Sequence, residues 1–188
     1  MNPACTSSPE TVSALVVVDV LNTYDHEDAD RLCASMEPVV ETIAGLLRRA
    51  RDEDVPIIYV NDNYGDWKSS AQQLVDAALH DGRHPELIEP ILPPDDASFV
   101  VKARHSIFYQ TPLEYLLRQL GAARIVLCGQ VTEQCILYSA LDAYVRHLEV
   151  AVPPDAVAHI HEDLAKAALQ MMKRNMRADI RPADECAL

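Results

Sequence analysis

Short apolar runs alternating with helically spaced segments predict an α/β fold: a three-layer, doubly wound, mostly parallel sheet with helices on both faces. Three observations carry this expectation. Runs such as 14–18 (ALVVV) and 125–128 (IVLC) are apolar at every position, as strands covered on both faces are. The stretches between them place apolar residues at i, i+3 and i+4. The joins fall at Pro, Gly, Asn and Asp, and right-handed crossovers between such units build a parallel sheet.

The elements follow in order. Residues 1–13 are polar, contain Pro3 and Pro9, and read as a flexible arm before one domain over 14–182, with 183–188 as a C-terminal tail. The strand 14–18 ends at Asp19, and the acidic stretch 22–30 reads as loop. A helix is expected over 38–52 with Pro38 in its first turn and Val39, Val40, Ile43, Leu46, Leu47 and Ala50 on its apolar face. The second strand, 56–60, closes in the turn-rich 61–65. A weaker helix spans 69–80, and four prolines make 81–96 irregular. The third strand, 98–101, ends at Lys102. Thr111-Pro112-Leu113-Glu114 has the form of a capping box opening a helix to Leu120, which Gly121 stops. Then come the strand 125–128, a helix from Thr132, a strand over 148–152, a helix over 162–175 and a short final strand near 177–181.

Composition narrows the function. At 188 residues the chain is long enough for one domain with a sizeable core. Sixteen basic against 29 acidic residues give a formal charge of -13, the wrong sign for a nucleic-acid or anionic-membrane partner. No apolar run is long enough to span a bilayer, and MNPACTSSPETVS lacks the features of a secretory signal. Five cysteines, an odd number without framework spacing, point to free thiols and a cytoplasmic location. Without a Gly-x-Gly-x-x-Gly or Walker-type loop, no nucleotide cofactor is expected.

In parallel sheets ligands sit at the carboxyl ends of the strands, so the residues there carry the functional argument. Asp19 follows the first strand, Lys102 the third, and Cys135 lies in the first turn of the helix after the fourth. Helix-start N–H groups and the helix dipole favour a thiolate at Cys135. A nearby carboxylate can accept the thiol proton, and a lysine can hold both anions in place. The bland alternatives are a packed cysteine, a turn-capping aspartate and a surface lysine. Three such groups converging on one edge argue against all of them together. Cys128 reads as packing, and Cys5, Cys33 and Cys186 as incidental. His80 and His84 have i, i+4 spacing, but Gly82 and Pro85 disfavour a regular helix there, so no metal site is assigned. Tyr24 and Trp67, on loops at the same edge, are candidates for the substrate pocket.

The motifs Val17-Val18-Asp19-Val20-Leu21-Asn22, Lys102-Ala103-Arg104-His105-Ser106-Ile107-Phe108 and Gly129-Gln130-Val131-Thr132-Glu133-Gln134-Cys135 resemble those of the isochorismatase-like cysteine hydrolases. That group includes nicotinamidases and N-carbamoylsarcosine amidase. The resemblance runs from Ala14 to Ala158, with Asp142-Ala143 and Pro154-Asp155-Ala156 as later landmarks. It implies Cys135 as nucleophile, Asp19 as general base and Lys102 as the residue that tunes both. It also implies a cis peptide bond between Gln130 and Val131, and an oxyanion hole from the Val131 and Cys135 N–H groups. A small-molecule substrate, no cofactor and a homo-oligomer are expected on the same basis.

The chain departs from that pattern too. Leu21 stands where the family usually has glutamine, and Thr23-Tyr24 follow Asn22. The nicotinamidase branch has an Asp-x-His metal motif after the second strand; here the residues are Asn61-Asp62-Asn63-Tyr64-Gly65-Asp66-Trp67, with no histidine. The expected activity is cleavage of a small amide or ureido C–N bond through a thioester. The alternatives are isochorismatase-type vinyl ether hydrolysis and a redox-responsive binding protein on the same scaffold.

Overall fold

A computed structural model describes residues 12–188, so the arm assigned to 1–13 lies outside it except for its last two residues. Ser13 is already the first residue of strand β1 (Ser13–Val18). The remaining strands are β2 (Ile57–Asp62), β3 (Ser98–Lys102), β4 (Arg124–Gln130), β5 (Glu149–Ala151) and β6 (Val157–Ala158). They form one parallel sheet in the order β3-β2-β1-β4-β5, with β6 pairing β4. The chain winds outward from β1 through β2 to β3, then returns to β1's other side with β4. The switch of direction therefore falls between β1 and β4, whose ends carry Asp19 and the segment leading to Cys135.

The strands alternate between two cores. Leu15 and Val17 of β1 and Val126 and Cys128 of β4 face one of them, together with helix α1 (Ala29–Asp52). Ala14, Val16, Val18, Ile125 and Leu127 face the other, with α4 (Leu113–Gln119), α5 (Leu137–Val145) and α6 (Glu162–Asn175). Cys128 is thus a packing residue. Two shorter helices, α2 (Ala71–Asp76) and α3 (Pro85–Ile88), lie within the β2–β3 crossover.

Several local expectations change. Helix α1 starts at Ala29, nine residues before Pro38, because Ala29, Leu32, Cys33 and Met36 continue the spacing of its buried face. Pro38 lies inside the helix rather than in its first turn. Residues 81–96 are not wholly irregular: α3 and a 3-10 turn over Glu89–Ile91 lie within them. Glu114 is drawn to Arg118 and Arg146, so the reciprocal box at Thr111 does not form. The strand expected near 177–181 reduces to one bridge, Asp179 with Ala151. The 183–188 segment packs against the domain: Ala183 and Cys186 are buried, and Arg49 donates to their carbonyls at 2.8 and 2.6 Å.

Candidate active site

The first strand delivers Asp19 in a left-handed conformation, φ 54°, which costs of order 1 kcal/mol for a residue with a Cβ. Four contacts hold it there. Its N–H donates to the Val60 carbonyl at 2.9 Å, and its own carbonyl accepts from Gln130 Nε2 at 2.8 Å. Its Oδ1 accepts from the Asp62 N–H at 2.7 Å, and Oδ2 lies 2.8 Å from Lys102 Nζ. On the other side of the switch point β4 ends close against β1. Gly129 has φ 111°, and a Cβ there would lie 2.2 Å from the Val18 carbonyl oxygen, so only glycine fits.

Lys102 ends β3, two strands away from β1. Its side chain is fully buried, a position in which an ammonium persists only with its charge met. Besides Asp19 it reaches Asp62 Oδ2 at 3.3 Å and donates to Cys135 Sγ at 3.6 Å. Cys135 lies on a π-helical turn over Thr132–Ile136 that precedes α5. Single π-turns of this kind recur at functional sites. The turn begins after a cis peptide bond between Gln130 and Val131, and the Val131 carbonyl accepts from the N–H groups of Gln134 and Ile136. The buried Glu133 ties the turn down, its Oε1 accepting from the N–H groups of Ile160 and His161 at 3.0 and 2.7 Å.

Burial and the neighbouring charges pull on each group's proton. Burial raises the Asp19 carboxyl above its ordinary value, against the opposing pull of Lys102 and of the Cys135 thiol. Burial likewise pushes the Cys135 thiol well up, with the Asp19 charge adding to the effect and Lys102 opposing it. Burial works against the Lys102 ammonium, yet Asp19 and Cys135 outweigh it and leave its pKa raised. Carboxyl, thiol and ammonium are thus coupled, with carboxyl and thiol competing for one proton.

Asp19, Lys102 and Cys135 thus meet in one place. Two further residues join them. Asp62, read from sequence as part of a turn, is the last residue of β2 and the second carboxylate on Lys102. His105 puts Nδ1 3.7 Å from Cys135 Sγ. It sits in an irregular loop whose only sequence signal is its place three residues after Lys102. Beside them opens a cleft of about 830 Å³ lined by Asp62, Tyr64, Trp67, Lys102, His105 and Tyr109, among others; Asp19 and Cys135 lie behind these residues and do not line it. Trp67 stands on its rim, 83% exposed. Tyr24 does not line it: an apolar cluster encloses its ring completely, and its hydroxyl donates to Gln130 Oε1 at 3.2 Å.

The residues at the end of β2 and just after it do not fit a nicotinamidase-type metal. Asn61 spends its side chain on the Leu21 backbone, Asn63 accepts from the Gly65 N–H, and Asp62 is held by Lys102 and the Tyr64 N–H. Among the described residues, no three His, Cys, Asp or Glu side chains gather as a ligand set. No helix among them is long and apolar enough to cross a membrane.

Sheet order, crossovers and a polar cluster at the switch point define an α/β protein of the enzyme type that works at its strands' carboxyl ends. A family model described as the Isochorismatase domain matches residues 13–184, and the chain belongs to this family of hydrolases. The uncharacterized isochorismatase family protein YaaI of Bacillus subtilis is 33% identical over 167 residues, 89% of this chain and 92% of its own. Maleamate amidohydrolase of Pseudomonas putida is 28% identical over 164 residues, covering 83% and 76%. The crystal structure of N-carbamoylsarcosine amidase from Thermoplasma acidophilum superposes with a TM-score of 0.71 at 26% identity, covering 94% of this chain and 99% of that one.

Proposed function

We propose that this hydrolase cleaves a small-molecule amide or ureido C–N bond, with Cys135 as nucleophile, Asp19 as general base and acid, and Lys102 as the cation that holds both. The observation that carries the reading is the meeting of sulfur, carboxylate and ammonium, with Lys102 and His105 lining the adjoining cleft. The amide substrates in the names of two similar proteins support the same choice of bond.

The steps balance within these residues. The Cys135 thiol gives its proton to Asp19 as sulfur attacks the substrate carbonyl. The oxyanion that forms is met by the N–H groups of Val131 and Cys135. As the C–N bond breaks, Asp19 returns the proton to the nitrogen, and ammonia or an amine leaves a thioester. Water then gives a proton to Asp19 and attacks the thioester; the acid departs, and Asp19 reprotonates the sulfur. Lys102 stays charged throughout. It keeps Asp19 ionised at the start and shares the charge of the sulfur afterwards.

The test is a screen of carbamoyl and ureido compounds, nicotinamide, lactams and isochorismate with Cys135→Ala as control. Hydrolysis of an amide or ureide by the native chain and none by the variant is expected. Normal turnover by the variant contradicts the nucleophile assignment, and activity confined to isochorismate contradicts the bond class. A homo-oligomer belongs to the same reading, supported by Tyr138, Leu141, Tyr144 and Val145 exposed along α5. Light scattering giving a monomer's mass refutes it. A cytoplasmic location rests on the thiols of Cys33, Cys128, Cys135 and Cys186, all free among the described residues.

A further inference from the structure

We infer that His105 is a further catalytic residue of this site: its imidazole donates to the Cys135 sulfur when that sulfur is a thiolate and, as a cation, offsets the excess negative charge around it. The inference rests on Cys135 being the nucleophile. Its starting point is a count of charges and donors. Lys102 touches two carboxylates, Asp19 and Asp62, and balances one of them. The remaining charge opposes ionisation of the thiol. The three ammonium protons are already divided among Asp19, Asp62 and Sγ, so Lys102 has no second hydrogen bond to offer the sulfur.

His105 supplies both missing terms from the open side. Its Nδ1 is 3.7 Å from Sγ, and its ring rests against Tyr138 of α5 with centroids 5.5 Å apart. Asp19 and Cys135 are only 7% and 8% exposed, whereas His105 is exposed and lines the cleft. The thiol proton passes inward to Asp19; the imidazole keeps its own proton and only shares it with the sulfur. The groups around it are few. Lys102, Arg104 and Tyr109 come from its own segment, Asp62 from the end of β2, and Tyr64 and Asp66 from the loop that follows. Cys135 faces it from the π-turn, and Tyr138 from α5. As a cation the imidazole offers the sulfur charge as well as a donor, so its hold weakens wherever that proton is lost.

The test needs no substrate. Alkylation of Cys135 by iodoacetamide is followed by peptide mass spectrometry on the full chain, between about pH 5 and pH 9. The native chain is expected to react roughly tenfold faster than His105→Ala near the acid end, the effect of one charge-assisted hydrogen bond. The gap narrows as pH rises. His105→Gln, which keeps a neutral donor, lies between the two. Superimposable profiles for the native chain and His105→Ala overturn the inference. Where His105→Ala does not fold, His105→Gln decides: loss of the acid-side reactivity supports the inference, and its full retention overturns it. Slow, featureless alkylation of native Cys135 overturns the nucleophile reading and this inference together. Fast alkylation indifferent to residue 105 overturns this inference alone.

Discussion

Lys102 can stay charged inside the protein because Asp19, Asp62 and Cys135 surround its nitrogen, and each of those is held in turn by it. Lys102→Met leaves two carboxylates facing each other without their cation, at an expected cost of about 3 kcal/mol in urea unfolding. An unchanged unfolding midpoint contradicts that account of the cluster. Asp19→Asn keeps an acceptor for the Asp62 N–H and leaves Asp62 to Lys102, so the fold is expected to survive. Turnover in steady-state assays is expected to fall by at least roughly a hundredfold, as the proton acceptor is gone. The three proposed catalytic residues were legible because Asp19 and Lys102 follow apolar runs directly and Cys135 opens the helix after another, and a parallel sheet sends all such ends to one edge. Asp62 was hidden inside a run of turn-forming residues that in fact extends β2. His105 was hidden because loop positions carry no periodicity that says which way a side chain faces. Tyr24 misled for a related reason: a polar, acidic neighbourhood gave no sign that its ring is folded inward at φ 52°.

Elements position these residues by closeness of backbone. The approach of β4 to β1 at Gly129 leaves no room for a Cβ, so Gly129→Ala is expected to cost more than about 3 kcal/mol and to lower the yield of folded protein. Native-like thermal unfolding of that variant contradicts the geometry. At the opposite end of β4, Arg124 meets Asp179, whose carboxyl is held down to about 2, first by its hydrogen bond to Arg181. A carboxyl held below its ordinary 3.8 contributes stability above that pH and loses it as pH falls through about 2. Asp179→Asn is therefore expected to be less stable than the native chain near neutrality. The gap should be about 1 kcal/mol, since Arg181 is half exposed and water screens the pair. In pH-dependent melts the gap closes toward pH 2; a gap that widens on acidification contradicts the assignment. Helix α1 shows what patterning settles and what it leaves open. Its buried face from Val39 onward was legible, but Pro38 reads as a start signal while the apolar spacing carries the helix straight through it.

At the scale of the whole molecule, the sheet separates stability from chemistry. Arg124 opens β4 at the edge remote from Cys135, and its guanidinium reaches Cys186 Sγ at 3.8 Å while Arg49 holds the carbonyls of Ala183 and Cys186. Removing residues 183–188 uncovers that edge and is expected to cost about 2 kcal/mol in calorimetric unfolding while leaving turnover per folded molecule intact. Loss of turnover without loss of stability contradicts this division. The layering was legible in the alternation of strands and helices. The packing of the last six residues was not, because a short segment lacking an apolar run is indistinguishable from a loose tail until its partners are known. At the other edge the proposed chemistry turns on a covalent event. The most direct test is rapid quench of the native chain with a hydrolysed amide, followed by mass spectrometry of the peptide containing Cys135. A mass increase equal to the acyl fragment, absent in Cys135→Ala, is the predicted result. Product formed by a Cys135→Ala chain that never carries the adduct contradicts the account.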